Sequence, residues 1–507
     1  MRPAGIVLLA AGCALIAACG GSGQESSGSA QASAGAAPKV SPRAIGSASA
    51  RASDARLLQW PEFGLDPQRG DATEDATGVT SANVGRLRRL HLVLPGTVDS
   101  SPIYLHSALV DGAAHETIVL TTTYGKTLAI DANSGHVLWT FTPPGYQSWA
   151  GSAQITVASP LADPDGRYVY AASPNGLIHK LALADGEEDR EGAWPARVTL
   201  EPKHEKLGAA LNIDGPDLLV ATSGYLGDIP PYQGHVVAID RASGRIASIF
   251  NTLCANRRRL QVPSSCPASD SAILSRGGAV VESSGRVLID TGNGPWNGTS
   301  DFGDSVLELT FPGLSLRQSY TPTDQEHLNQ SDTDLGSSAP ALLGDDRVLV
   351  GGKDGILRVL DLARLNGRSP RLHTILGGEV QQLPLPGGGE LFTAPAVWHH
   401  AGRTAVFIGD EHATAAYVLR RGRLYEVWQN ATPGTSPVLA GGLLYVYDPA
   451  AGGVYVYRPD SPTPIARLPG LPGHWNSPIV VDGHVIEPEG DANEHLLSGT
   501  LDVFSAG

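Results

Sequence analysis

The chain has 507 residues, among them 61 glycines and 37 prolines, and a formal net charge of −15 at pH 7. That acidity excludes nucleic acid as a partner class, because phosphate binding needs clustered cations. So much glycine and proline calls for many turns, and the length suits several domains or one large β architecture.

The chain opens with MRPAGIVLLAAGCALIAACGG, one cation at Arg2 and an apolar core before small residues and a cysteine. This is the layout of an export signal. Its end, LIAAC, resembles the bacterial lipobox, in which the cysteine (here Cys19) is lipidated and becomes the new N-terminus. An ordinary signal peptide with an incidental cysteine is the alternative. Residues 20–54 are almost all Gly, Ser, Ala and Gln. They offer too little apolar surface to offset their ordering entropy, which predicts a flexible tether. No later run reaches about 18 apolar residues, so the lipid is the only membrane contact expected. The expected organisation is a signal over 1–19, a tether over 20–54 and a folded body over 55–507, on the extracytoplasmic side of a bacterial envelope.

From residue 100 onward one unit recurs. SSPIYL (100–105) returns as ASPLAD (158–163), SSAPALL (337–343), TAPAVW (393–398), TSPVLA (435–440) and NSPIVV (476–481). GAALNI (208–213) and GGAVVE (277–282) are looser copies, which makes eight. A second β-rich run, a glycine-containing turn and a third run follow most of them. Short strands at this spacing without helical periodicity predict an all-β array, and four strands per unit of roughly 40–60 residues are propeller blades. A pair of β-sandwiches is the alternative, and it leaves eight matched units unexplained. The clearest unit, LAIDANSGHVLW (128–139), gives each residue a mechanical task. Asp131 accepts turn N–H groups, Gly135 supplies a positive φ and Trp139 wedges between blades. Farther on, Cys254 and Cys266 are the only cysteines after Cys19. In an exported chain they predict a local disulfide, since no neighbouring His or Cys suggests a metal.

The spacing of this unit resembles the tryptophan-docking repeat of the quinoprotein alcohol dehydrogenase-like, PQQ-repeat eight-bladed β-propellers. That superfamily contains pyrroloquinoline quinone (PQQ) dehydrogenases and non-enzymatic lipoproteins of the outer-membrane β-barrel assembly machinery. The resemblance covers roughly residues 60–507 and implies an eight-bladed ring of four antiparallel strands per blade. RLRRLHLVL (86–94) is expected to complete the last blade, leaving no free edge and a monomer. In this geometry the loops after each second strand and before each first strand share one rim.

The resemblance also implies candidate site residues. Asn293 and Trp296 in TGNGPWN match the family's loop for a calcium-ligating asparagine, and Lys353 in GGKDG matches a position near the quinone. Asp99 stands where the family carries an acid before its Thr-Pro. Arg276 and Trp475 are further candidates for the cofactor face, and Asn293, Asp301 and Asp304 for calcium. Turn stabilisation is the plainer reading of those three, as a pairing with Asp332 is for Arg276 and blade packing for Trp475. The enzymes' Asp-x-Trp-Asp signature is replaced by HLNQSDTDLGSSAP. Asp332 and Asp334 are the catalytic candidates there, but an ungapped count back from Ser338 puts Gln330 at the base position. A neutral amide cannot accept the proton. PQQ and calcium are therefore possible but not favoured. The expectation is a lipid-anchored, non-catalytic envelope propeller that binds a protein or small ligand at its rim. A PQQ- and calcium-dependent dehydrogenase is the alternative.

Overall fold

A computed structural model describes residues 59–506, so Cys19, the signal and the tether lie outside the described residues. Eight four-stranded antiparallel sheets follow one another along the chain. Their innermost strands begin at residues 103, 161, 212, 280, 341, 396, 438 and 479, each inside one of the eight repeated units. The chain is an all-β, eight-bladed propeller. Strand Arg88–Leu94 pairs with Gly499–Ser505 from Arg88↔Ser505 to Leu94↔Gly499, so the first strand of the ring supplies the last strand of blade eight.

Strand position within a blade decides burial. The second strand of blade seven, Leu443–Tyr447, is buried on both faces, whereas its outermost strand, Pro464–Leu468, is largely exposed. The apolar core is a circle of seams, each filled by two adjacent blades. One example joins Ile103, Val119, Ala129 and Trp139 of blade one to Ala162, Val169 and Leu181 of blade two. Trp139 also donates its indole N–H to the Leu183 carbonyl of the next blade at 2.9 Å. Trp194 bonds Arg241 O at 3.3 Å and Trp428 bonds Pro459 O at 2.9 Å in the same manner. A Cβ on Gly186 would lie 2.6 Å from the Trp139 ring, so the seam requires glycine there. The turn of the repeat is built as its sequence implies. Asp131 Oδ1 accepts from Ser134 N at 2.8 Å, and Gly135 has φ 74°.

The segment before the first blade has a role the sequence did not disclose. Residues 60–77 run across the inner strands and bond to them in turn: Trp60 with Tyr104, Pro61 with Ala162, and Pro67 with Val281. Gly70 continues the path to Val397, Asp71 to Leu439 and Thr77 to Gly483. Buried Arg69 reaches Leu211 O at 2.6 Å and pairs with Glu62 at 2.9 Å. The segment plugs the central channel.

Candidate functional site

The loops before each first strand and after each second strand gather on one face, around a cavity of about 290 Å³. Asp99, Val157, Arg276 and Phe392 line it, each five residues before the strand position that meets the plug. The cavity is thus the mouth above the plug, whose Arg69 side chain reaches Gly277 O at 3.3 Å.

Asp99 is the hub of this mouth. Its side chain is fully buried; Oδ1 accepts from Arg276 Nη2 at 2.7 Å, and Oδ2 contacts His474 Nδ1 at 2.8 Å and accepts from Ala492 N at 3.1 Å. These partners outweigh burial and hold the Asp99 carboxyl below its ordinary range. Arg276 Nη1 also donates to Asp99 O at 2.6 Å. Arg276 thus pairs with Asp99, not with Asp332, which is exposed. Trp475 stacks on Phe392 at 4.5 Å and on His474 at 4.0 Å, with the Arg276 guanidinium 5.1 Å from its centroid. The indole is packed among protein groups.

A second cluster joins blades four and five. Asp334 is buried; its Oδ2 lies 2.5 Å from Lys353 Nζ and its Oδ1 accepts from Asn293 N at 2.7 Å. Burial raises the Asp334 carboxyl despite Lys353. The acid facing the mouth is therefore Asp334, while Gln330 ends the short helix Gln325–Gln330 and is exposed.

The remaining candidates lie elsewhere. Asp301 faces the loop closed by the Cys254–Cys266 disulfide, where it accepts from Cys254 N at 3.0 Å and from Asn297 Nδ2 at 2.5 Å. Asp304 accepts from Leu335 N at 3.2 Å and Gln325 Nε2 at 3.3 Å, and burial pushes it up to about 8. Trp296 is partly buried beside the seam of blades three and four, outside the cavity lining. Asn293 is outside the cavity lining and donates its backbone N–H to Asp334. Asp301 and Asp304 thus serve different hydrogen-bond sets, Asn293 reaches Asp334 through its backbone N–H, and Trp475 is packed against Phe392, His474 and the Arg276 guanidinium. The residues present do not fit a calcium–quinone pair.

Sequence reasoning missed Lys206, Glu390 and Phe392, which also line the cavity. Lys206 lies in a two-residue ribbon, Glu205–Lys206 with Ser223–Gly224, that no repeat motif announces. It has no ion-pair partner among the described residues, and burial beside Arg276 pushes it down to about 8.

The family described as outer membrane protein assembly factor BamB matches residues 75–296. No curated protein matches the sequence. A quinohemoprotein alcohol dehydrogenase from Comamonas testosteroni is 14% identical, with TM-score 0.62 over 89% of this chain and 81% of that one. A europium-containing methanol dehydrogenase is 16% identical, with TM-score 0.64 over 88% of this chain and 98% of that one. BamB from Moraxella catarrhalis is 14% identical, with TM-score 0.51 over 83% of this chain and all of that one. The chain shares the PQQ-repeat type of eight-bladed propeller with catalytic and assembly proteins alike.

Proposed function

We propose that this chain is a non-catalytic, lipid-anchored propeller of the bacterial envelope that binds a protein or small ligand at its loop-lined face. The observation that carries the reading is the site itself. Two of the candidate calcium donors, Asp301 and Asp304, are engaged by different protein partners, and Trp475 is packed against Phe392 and His474.

The rim supports a binding role from a second direction. Leu226 and Ile229 on blade three, and Leu496 and Leu497 on blade eight, are 79%, 63%, 48% and 54% exposed. All four lie in loops after second strands, hence on the mouth face. Exposed leucine and isoleucine above a rigid ring suit a protein contact. The likeness to BamB, an outer membrane protein assembly factor, agrees with an envelope setting, as do the signal and Cys19.

One observation favours the dehydrogenase reading: Asp334 sits between Lys353 and the Asn293 backbone. In that reading the Asp334 carboxylate would be the proton acceptor for an alcohol.

The test of the binding reading is site-specific photo-crosslinking in intact cells of the host. A crosslinker at Leu226 or Leu497 should trap a discrete envelope partner, or block uptake of a small ligand. One at Leu109, 61% exposed at the opposite end of an inner strand, should not. Equal labelling at all three positions would refute a binding rim.

A further inference from the structure

The blade that closes the ring carries a row of acids which the mouth does not explain. In register, Glu487 lies opposite Asp502, and Asp502 lies opposite His91 on the closing strand. Side chains directly opposite in a sheet share one face, and Glu489, two residues past Glu487, shares it too. Ligand atoms of His91, Glu489 and Asp502 lie within 4.8 Å of one another.

A second, independent observation comes from Glu487. It is 1% exposed, and neither carboxyl oxygen has a hydrogen-bond partner. Buried polar groups are normally satisfied, and a buried carboxylate with no partner is costly. The cation at hand is Arg89, whose Nη2 lies 2.6 Å from Asp502 Oδ2. Three carboxyl groups against one guanidinium leave two negative charges in excess when all are ionised. Glu489 is already fixed by Leu471 N at 2.7 Å and Thr500 Oγ1 at 2.9 Å, which orient it into the row. His91 is the exposed member, its side chain 41% accessible, and gives the row an opening to solvent.

We infer that the row His91–Asp502–Glu489, backed by Glu487, is a binding site for a divalent transition-metal ion of the zinc class. One imidazole nitrogen with carboxylate oxygens suits zinc better than calcium or magnesium, which prefer all-oxygen sets. His91 Nδ1 and Asp502 Oδ1 are 2.7 Å apart, with Arg89 Nη2 3.3 Å from the same nitrogen, so a tetrahedral ion would take the place of these contacts with the two ligand atoms opening to about 3.3 Å. Because His91 belongs to the first strand of the ring and Asp502 to the last, the ion is a clip across the closing seam. This site is distinct from the mouth and does not depend on the reading given to it.

The experiment uses the full chain, stripped with a chelator and titrated with zinc chloride by calorimetry, then with cobalt to read its ligand-field bands. One equivalent should bind, with imidazole–carboxylate cobalt bands and a melting temperature raised by several degrees. His91→Ala should weaken binding at least tenfold while the apo protein melts as before, since His91 is exposed. Glu487→Gln should weaken it less. His106→Ala, in another His–acid group formed with Glu116 and Asp482, is the control and should leave the affinity unchanged. Absence of zinc binding, or zinc affinity unaltered by His91→Ala, would overturn the inference. Loss with His106→Ala instead would do the same.

Discussion

Replacing Asp99 by asparagine keeps the shape of the mouth and removes its central charge. The carboxylate accepts from Arg276 on one oxygen and from Ala492 N on the other, where His474 also contacts it. An asparagine has one acceptor oxygen, so one of these sides must meet an amide N–H with its own donor. Arg276, only 6% exposed, would also lose its counter-ion. Breaking a buried pair by removing one partner costs about 3–5 kcal/mol. For about 450 folded residues the unfolding entropy is roughly 0.9 kcal/mol per kelvin, so the loss corresponds to a fall in Tm of about 3–5 °C. Calorimetry at pH 7 measures it, and Asp99→Asn combined with Arg276→Met should recover part of the loss. The contribution also has a defined pH window. Because the folded Asp99 pKa lies below its ordinary 3.8, its stabilisation is complete above that value and is lost as pH falls through the lower folded one. An Asp99→Asn protein melting within a degree of the parent at pH 7 would refute the hub.

Trp139→Ala removes a seam-filling ring and its bond to Leu183, and should destabilise by about 3–5 kcal/mol; Trp139→Phe should cost about 1–2, both read by thermal melting. Replacing Cys254 and Cys266 together by alanine should cost about 3 kcal/mol, the chain-entropy value for so short a loop, without abolishing the fold seen by circular dichroism. Burial raises Glu62 from 4.5 to about 7 and Asp304 from 3.8 to about 8. Their contributions are complete below the unfolded values and lost as pH rises through the folded ones, so Tm should decline between about pH 4.5 and 8. Asp304→Asn should flatten the upper part of that slope.

Much of the ring was legible because it is made of local, repeated chemistry. Each innermost strand announces itself by a small residue, a proline or alanine and apolar residues after it, and the Asp131–Gly135–Trp139 spacing encodes turn and docking together. The closing strand could be inferred from a missing fourth run in blade eight. The plug was not legible, since residues 60–77 form no strand and bond to blades far away in sequence. The mouth was partly legible. Asp99, Arg276, Asp334, Lys353 and Trp475 all meet there, but the pairing of Arg276 with Asp99 spans 177 residues and carries no local signal. For Asp301 and Asp304 the sequence left turn and metal readings both open, because turns and metal loops use the same side chains. Their hydrogen bonds to Cys254 N and Leu335 N belong to tertiary packing. Lys206 stayed hidden in a two-residue ribbon.

The most direct measurement of the central claim is an equilibrium titration of the purified chain with PQQ in the presence and absence of calcium, followed by quinone absorbance and by alcohol-dependent dye reduction. No calcium-dependent quinone band and no dye reduction are expected, with Asn293→Ala and Asp334→Asn indistinguishable from the parent in this assay. One equivalent of PQQ bound only with calcium, reducing dye with alcohol and lost in both variants, would contradict it.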